Sequence, residues 1–154
     1  MGWGHVIKAI SGECRRETFA GSQQLTLGQL IERLESIPAS YGDDGEPKVV
    51  YFDFAYFFPT TLHSWRGSYD EIAIGYGRSD YSKTKLRPPT VTELIATLRF
   101  GVGSTYEGYK GGEYRMTENT PIWVDEYGEG GSTGVVGILD LGYKVVIQTA
   151  HCEF

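Results

Sequence analysis

Apolar positions recur at helical spacing in two stretches of the chain. In residues 25–38, LTLGQLIERLESIP, the side chains of Leu27, Leu30, Ile31 and Leu34 form one stripe and Pro38 closes the run. In residues 89–103, PTVTELIATLRFGVG, Val91, Leu94, Ile95 and Leu98 repeat the stripe and Gly101 ends it. Each stripe follows a Thr with Gln or Glu three residues on, Thr26 with Gln29 and Thr90 with Glu93, which is the pattern of a capping box. The two segments align, but a capping box before L-I-x-x-L is common, so coincidence explains the likeness better than duplication does.

Elsewhere the pattern alternates. Residues 48–54, KVVYFDF, put Val50, Phe52 and Phe54 on one face and Val49, Tyr51 and Asp53 on the other. Residues 69–76, YDEIAIGY, set Ile72, Ile74 and Tyr76 opposite Glu71, Ala73 and Gly75, and the two strands could pair as neighbours. TPIWVDEYG and TGVVGILDLGYKVVIQT supply at least three more strands, with turns at Gly128–Gly131 and near Gly142. This order predicts an α+β fold: a mainly antiparallel sheet of five or more strands with two helices packed on one face. At 154 residues, one domain over 1–154 is expected. Eleven Tyr, seven Phe and 21 Gly favour strands and turns over a helical bundle.

Two connections differ from polar filler. Between the first two strands lies AYFFPTTLHSWRG, longer than an ordinary hairpin loop and therefore a candidate binding loop. There Trp65 and Tyr69 can stack on a flat ring, Arg66 can hold an anionic oxygen bidentately, and Gly67 allows close backbone approach. The competing structural reading has the aromatics plug the loop and Arg66 pair with a surface carboxylate. The second connection, residues 101–116, GVGSTYEGYKGGEYRM, carries Tyr106, Tyr109, Lys110, Glu113 and Arg115 among five glycines, with a strand expected from about Glu113. Its glycines follow a helix end rather than precede a helix start, and no G-K-S/T occurs, so dinucleotide and P-loop fingerprints are excluded. Its structural reading is a glycine-rich hairpin with exposed tyrosines. A single cleft lined by both loops is the expected site. Arg78, Lys83, Lys85 and Arg87, in residues 77–89, read as a solvated connection.

Net charge of −6 argues against general nucleic-acid binding, whereas a small anion needs only a few local donors. No run of 18 apolar residues and no signal-peptide pattern occurs, so a cytosolic protein without a membrane span is expected. Cys14 and Cys152 are expected as thiols in that compartment. With His5 and His151 they lack metal-ligand spacing, so neither a metal nor another cofactor is expected. The histidines are not spaced as a pair, Ser64 beside His63 is poorly placed for a nucleophile–base pair, and G-x-S-x-G is absent, so an enzyme is the less favoured class.

The motifs SWRGSYDEIAIGY and YEGYKGGEYRM, with TPIWVDEYG after them and the first helix before them, resemble small uncharacterised accessory proteins of tailed bacteriophages over roughly residues 25–127. That resemblance implies an anti-defence role in the host bacterial cytoplasm and carries over no catalytic residue. Three functions follow: a sponge that sequesters a cyclic nucleotide or ADP-ribose-like signal without cleaving it, a protein-binding inhibitor of a host defence complex, and a hydrolase of such a signal. The sponge is favoured because two Gly-aromatic-cation loops suit a small flat anion. Tyr, Trp and Arg also suit a protein interface. Homodimerisation through an edge strand would place the pocket between subunits.

Overall fold

A computed structural model of the chain describes residues 13–14, 23–54, 56–64, 72–78, 87–107, 113–124 and 133–152. In chain order the elements are β1 (Glu13–Cys14), α1 (Leu27–Glu35), β2 (Ser40–Tyr41), β3 (Glu46–Pro47), β4 (Val49–Phe52), β5 (Phe57–Ser64), β6 (Ile72–Arg78), α2 (Val91–Gly101), β7 (Thr105–Glu107), β8 (Glu113–Arg115), β9 (Ile122–Val124), β10 (Thr133–Asp140) and β11 (Lys144–Cys152).

Both helices start where their caps require. Thr26 Oγ1 accepts from the Gln29 amide at 3.2 Å while the Gln29 side chain accepts from the Thr26 amide at 2.9 Å. Thr90 and Glu93 repeat the exchange at 3.1 and 2.9 Å. The amides of Leu27 and Gly28, orphaned at the start of α1, donate to the carbonyls of Thr120 and Glu118. That contact explains Gly28: a Cβ there would lie 3.0 Å from Glu118 Cβ. The second helix ends at Gly101, and the left-handed residue that turns the chain is Gly103, with φ of 80°.

The fold is α+β, and among the described residues the main sheet has seven strands in the order β1–β11–β10–β9–β6–β5, with β4 also on β11. It is mainly antiparallel, since the long β10–β11 and β5–β6 ladders run that way, while β4 and β1 join β11 and β9 joins β6 in parallel. Because β4 also comes alongside β5, where Tyr51 meets Phe58 edge-on at 6.2 Å, the sheet curls toward a barrel.

Two expectations are corrected here. The strand at 48–54 does not pair with that at 69–76. Instead β4 pairs with β11, from Val49 opposite Lys144 to Phe52 opposite Ile147. The antiparallel neighbour of β6 is β5, a strand inside the stretch expected to be loop. Its alternation is hidden because the register shifts between Pro59 and Leu62, so Phe57 and Leu62 both pack on the core although five residues apart. Pro59, which has no amide to donate, is tolerated because β5 ends the strand order.

Leu27, Leu30, Ile31 and Leu34 of α1 and Val91, Leu94 and Leu98 of α2 join Val50, Ile72, Ile74, Ile122, Val124, Val145 and Ile147 in one buried cluster. Each such side chain contributes about 1.5–3 kcal/mol on full burial. Strand residues of the other parity, Ala73 and Trp123, form a smaller cluster with Ala150 and Cys152. No helix among the described residues is long and apolar enough to cross a membrane.

Candidate functional site

The described structure reaches the expected site at its edges. Trp65, Arg66, Gly67 and Tyr69 lie in the connection between β5 and β6, and Tyr109 and Lys110 in that between β7 and β8; all six fall outside the described residues. Tyr106 sits in β7, its Cα in register with that of Tyr114. Glu113 and Arg115 sit in β8, both exposed, in register with Glu107 and Thr105.

What the structure brings together is the flanks of the two loops. Gly101, the last residue of α2, lies against Leu62 of β5 and Ile72 of β6, the strands that bracket residues 65–71. A Cβ on Gly101 would come within 2.6 Å of Leu62 Cδ1 and 3.3 Å of Ile72 Cδ1, so glycine permits this approach. From there the chain turns at Gly103 into β7, which runs beside β5. The return strand is tied to the same turn: the Gly103 amide donates to the Met116 carbonyl at 2.8 Å and the Met116 amide to the Ser104 carbonyl at 2.9 Å. These bonds bring the Arg115 guanidinium to the turn, with Nη2 3.9 Å from where a Gly103 Cβ would be.

Two adjoining hollows open beside this turn and share Val102 and Glu118. One, of about 320 Å³, is lined by Gly103, Arg115, Met116, Thr117 and Asn119 as well. The other, of about 370 Å³, runs between the helices past Gly28, Ile31, Glu32, Glu35 and Arg99. Arg99 is engaged by Glu35 in an ion pair across the helices. Arg115, which lines the smaller hollow, makes no ion pair among the described residues. The wall at Thr117–Thr120 is a hydrogen-bonded turn, in which Thr120 Oγ1 accepts from the Thr117 amide at 2.8 Å and Thr117 Oγ1 from the Asn119 amide at 3.2 Å.

The carboxyls held below their ordinary range lie elsewhere. Glu93 is lowered first by the Thr90 amide and then by Arg87, at the start of α2. Asp140 is lowered first by the Gly142 amide and then by Lys48. Both patterns belong to caps and turns rather than to an acid–base pair. Among the described residues no three His, Cys, Asp or Glu side chains gather as a metal would require.

Sequence reasoning missed the groove and one residue beside it. Phe100 is 81% exposed on α2. The signal was present, because position 100 falls off the stripe of Val91, Leu94, Ile95 and Leu98, which leaves a large aromatic facing water. Comparison of the chain with family models, curated proteins and solved structures finds no match.

Proposed function

We propose that the protein is a non-catalytic binder that sequesters a small nucleotide-derived anion, a cyclic nucleotide or an ADP-ribose-like signal, in the bacterial cytoplasm. In the phage setting implied by its motifs, this would withdraw an immune signal from the host. One observation carries the reading: the flanks of the two Gly-aromatic-cation loops are neighbours, since Gly101 packs on Leu62 and Ile72 and β7 runs beside β5. In this reading Trp65, Tyr69, Tyr106 and Tyr109 stack on bases, and Arg66, Lys110 and Arg115 face phosphates, with Gly67 permitting close approach and Glu113 at the rim. Purified protein is incubated with cyclic di- and trinucleotides and with ADP-ribose, separated from free ligand, and heated. The ligand should be retained by the native protein and released chemically intact. Release of a cleaved product would make the protein a hydrolase, and retention of none would end the sponge reading.

A second reading, a protein-binding inhibitor, is favoured by Phe100, an aromatic residue 81% exposed near the end of the same helix. Exposed aromatics of this kind anchor protein interfaces. A homodimer that uses this face would also cover it.

A further inference from the structure

The two cysteines of the chain, Cys14 and Cys152, lie near its opposite ends. The fold brings their backbones to one level: β1 runs parallel to β11, with Cys14 the register partner of Cys152 and Glu13 that of His151. Adjacent strands are spaced about 4.7–4.9 Å apart, inside the span of about 4.4–6.8 Å over which a disulfide joins two Cα atoms. Cys152 itself is fully buried with Ala73, Trp123 and Ala150. Its Sγ sits on the β10 side, where a Cβ on Gly134 would come within 2.5 Å of it, so bonding to Cys14 on β1 requires the thiol to turn to another χ1 rotamer. A buried thiol packs like a small hydrophobe, so Ala, as at Ala73 and Ala150, would serve the packing nearly as well; what distinguishes Cys is its redox chemistry.

We propose that Cys14 and Cys152 form a reversible intramolecular disulfide, a redox clip that fastens β1 to β11. The oxidant is a low-molecular-weight disulfide such as glutathione disulfide. One cysteine thiolate attacks it, forming a mixed disulfide and releasing one glutathione; the other thiolate attacks the protein sulfur of that mixed disulfide, forming the Cys14–Cys152 bond and releasing the second. Two electrons pass to glutathione disulfide, and the protons of the two protein thiols go to the two glutathiones. In a reducing compartment the pair stays as thiols, and oxidation closes nearly the whole chain into one loop, which stabilises by restricting the unfolded state.

The test starts from the full chain unfolded in urea, so that burial of Cys152 does not limit the reaction, and refolds it in glutathione redox buffers. The expected product is a folded monomer lighter by two hydrogen atoms, with one non-reducing tryptic species containing both cysteines. Its Tm should lie roughly 5–15 °C above that of the reduced protein and return on dithiothreitol treatment. Cys14→Ser should abolish both the linked species and the Tm difference, and it serves as the control even if Cys152→Ser, at a buried position, fails to fold. Four results would overturn the proposal: a protein that stays reduced, one that keeps two glutathione adducts, one that links between chains, or a clipped monomer that melts below the reduced form.

Discussion

The β10–β11 hairpin and the C-terminal end of α2 are both turns with glycine at positive φ, yet they treat charge in opposite ways. At the hairpin, Asp140 accepts from the Gly142 amide at 2.9 Å and from Lys48 Nζ at 3.1 Å, and Lys48 is only 4% exposed. The buried Lys48, between β3 and β4, is thereby tied to the end of β10 through the partly exposed Asp140. At the end of α2, strands of three residues carry Arg115, which is exposed and makes no ion pair among the described residues, and Phe100, one residue before the helix ends, is exposed as well. The first region uses its polar groups to fix the backbone, whereas among the described residues Arg115 has no such partner. Substitutions should therefore separate into those that cost stability and those that cost binding.

The largest loss of stability is expected in the core that both regions rest on. Leu30→Ala or Leu98→Ala, at fully buried positions, should destabilise by about 2–5 kcal/mol in urea unfolding, through lost transfer energy plus a cavity. A loss below about 1 kcal/mol at both would mean that the helices do not share one core with the sheet.

Next comes the hairpin clamp. Asp140→Asn leaves a nearly buried ammonium without its anion and should cost roughly 1–3 kcal/mol, at the lower end because the Asp140 side chain is 33% exposed to screening solvent. Lys48→Met, which removes the buried charge and keeps the stem, should cost less. The pH dependence follows from the sign of the shift. The Asp140 carboxyl titrates below its ordinary range because of the Gly142 amide and Lys48, so its contribution is fully present above about pH 4 and fades as pH falls through the native value. Acid unfolding of Asp140→Asn should lack that part of the slope.

Smaller again are the caps: Thr90→Ala and Thr26→Ala should each cost about 1 kcal/mol in thermal melts. Smallest of all, Arg115→Ala and Phe100→Ser should change stability by less than about 0.5 kcal/mol, as surface positions do. Phe100→Ser with ligand binding intact but loss of a protein partner would move the account to the inhibitor reading.

The same contrast explains how much was legible in the sequence. Both helices were, because an apolar stripe and a Thr cap are local signals, and so was the hairpin turn at Gly142. The pairing of β4 with β11 was not, since parallel partners so distant in sequence leave no mark on either strand. β5 was hidden by the irregularity between Pro59 and Leu62, which breaks period two in the middle of the strand. The β2–β3 ribbon was not legible either, because strands of two residues show no alternation, although Gly42 and Gly45, both at positive φ, mark its turn. Burial of Lys48 needed the tertiary position of Asp140, 92 residues away. Of the site, the residue types in the loops were readable and the adjacency of their flanks was not, because Gly101 reads as a helix stop until Leu62 and Ile72 are seen against it.

The central claim is that the loop end binds a small anion through a planar guanidinium clamp at Arg66, aided by Arg115. Calorimetric titration of the ligand retained by the wild type, run on Arg66→Lys and Arg115→Ala beside apo melting curves, tests it most directly. Arg66→Lys keeps the charge and loses the fork, so it should weaken binding by roughly 1–3 kcal/mol with Tm unchanged, and Arg115→Ala should weaken it in the same direction. A variant pair that binds at full affinity while melting at a lower temperature would contradict the account and make both arginines structural.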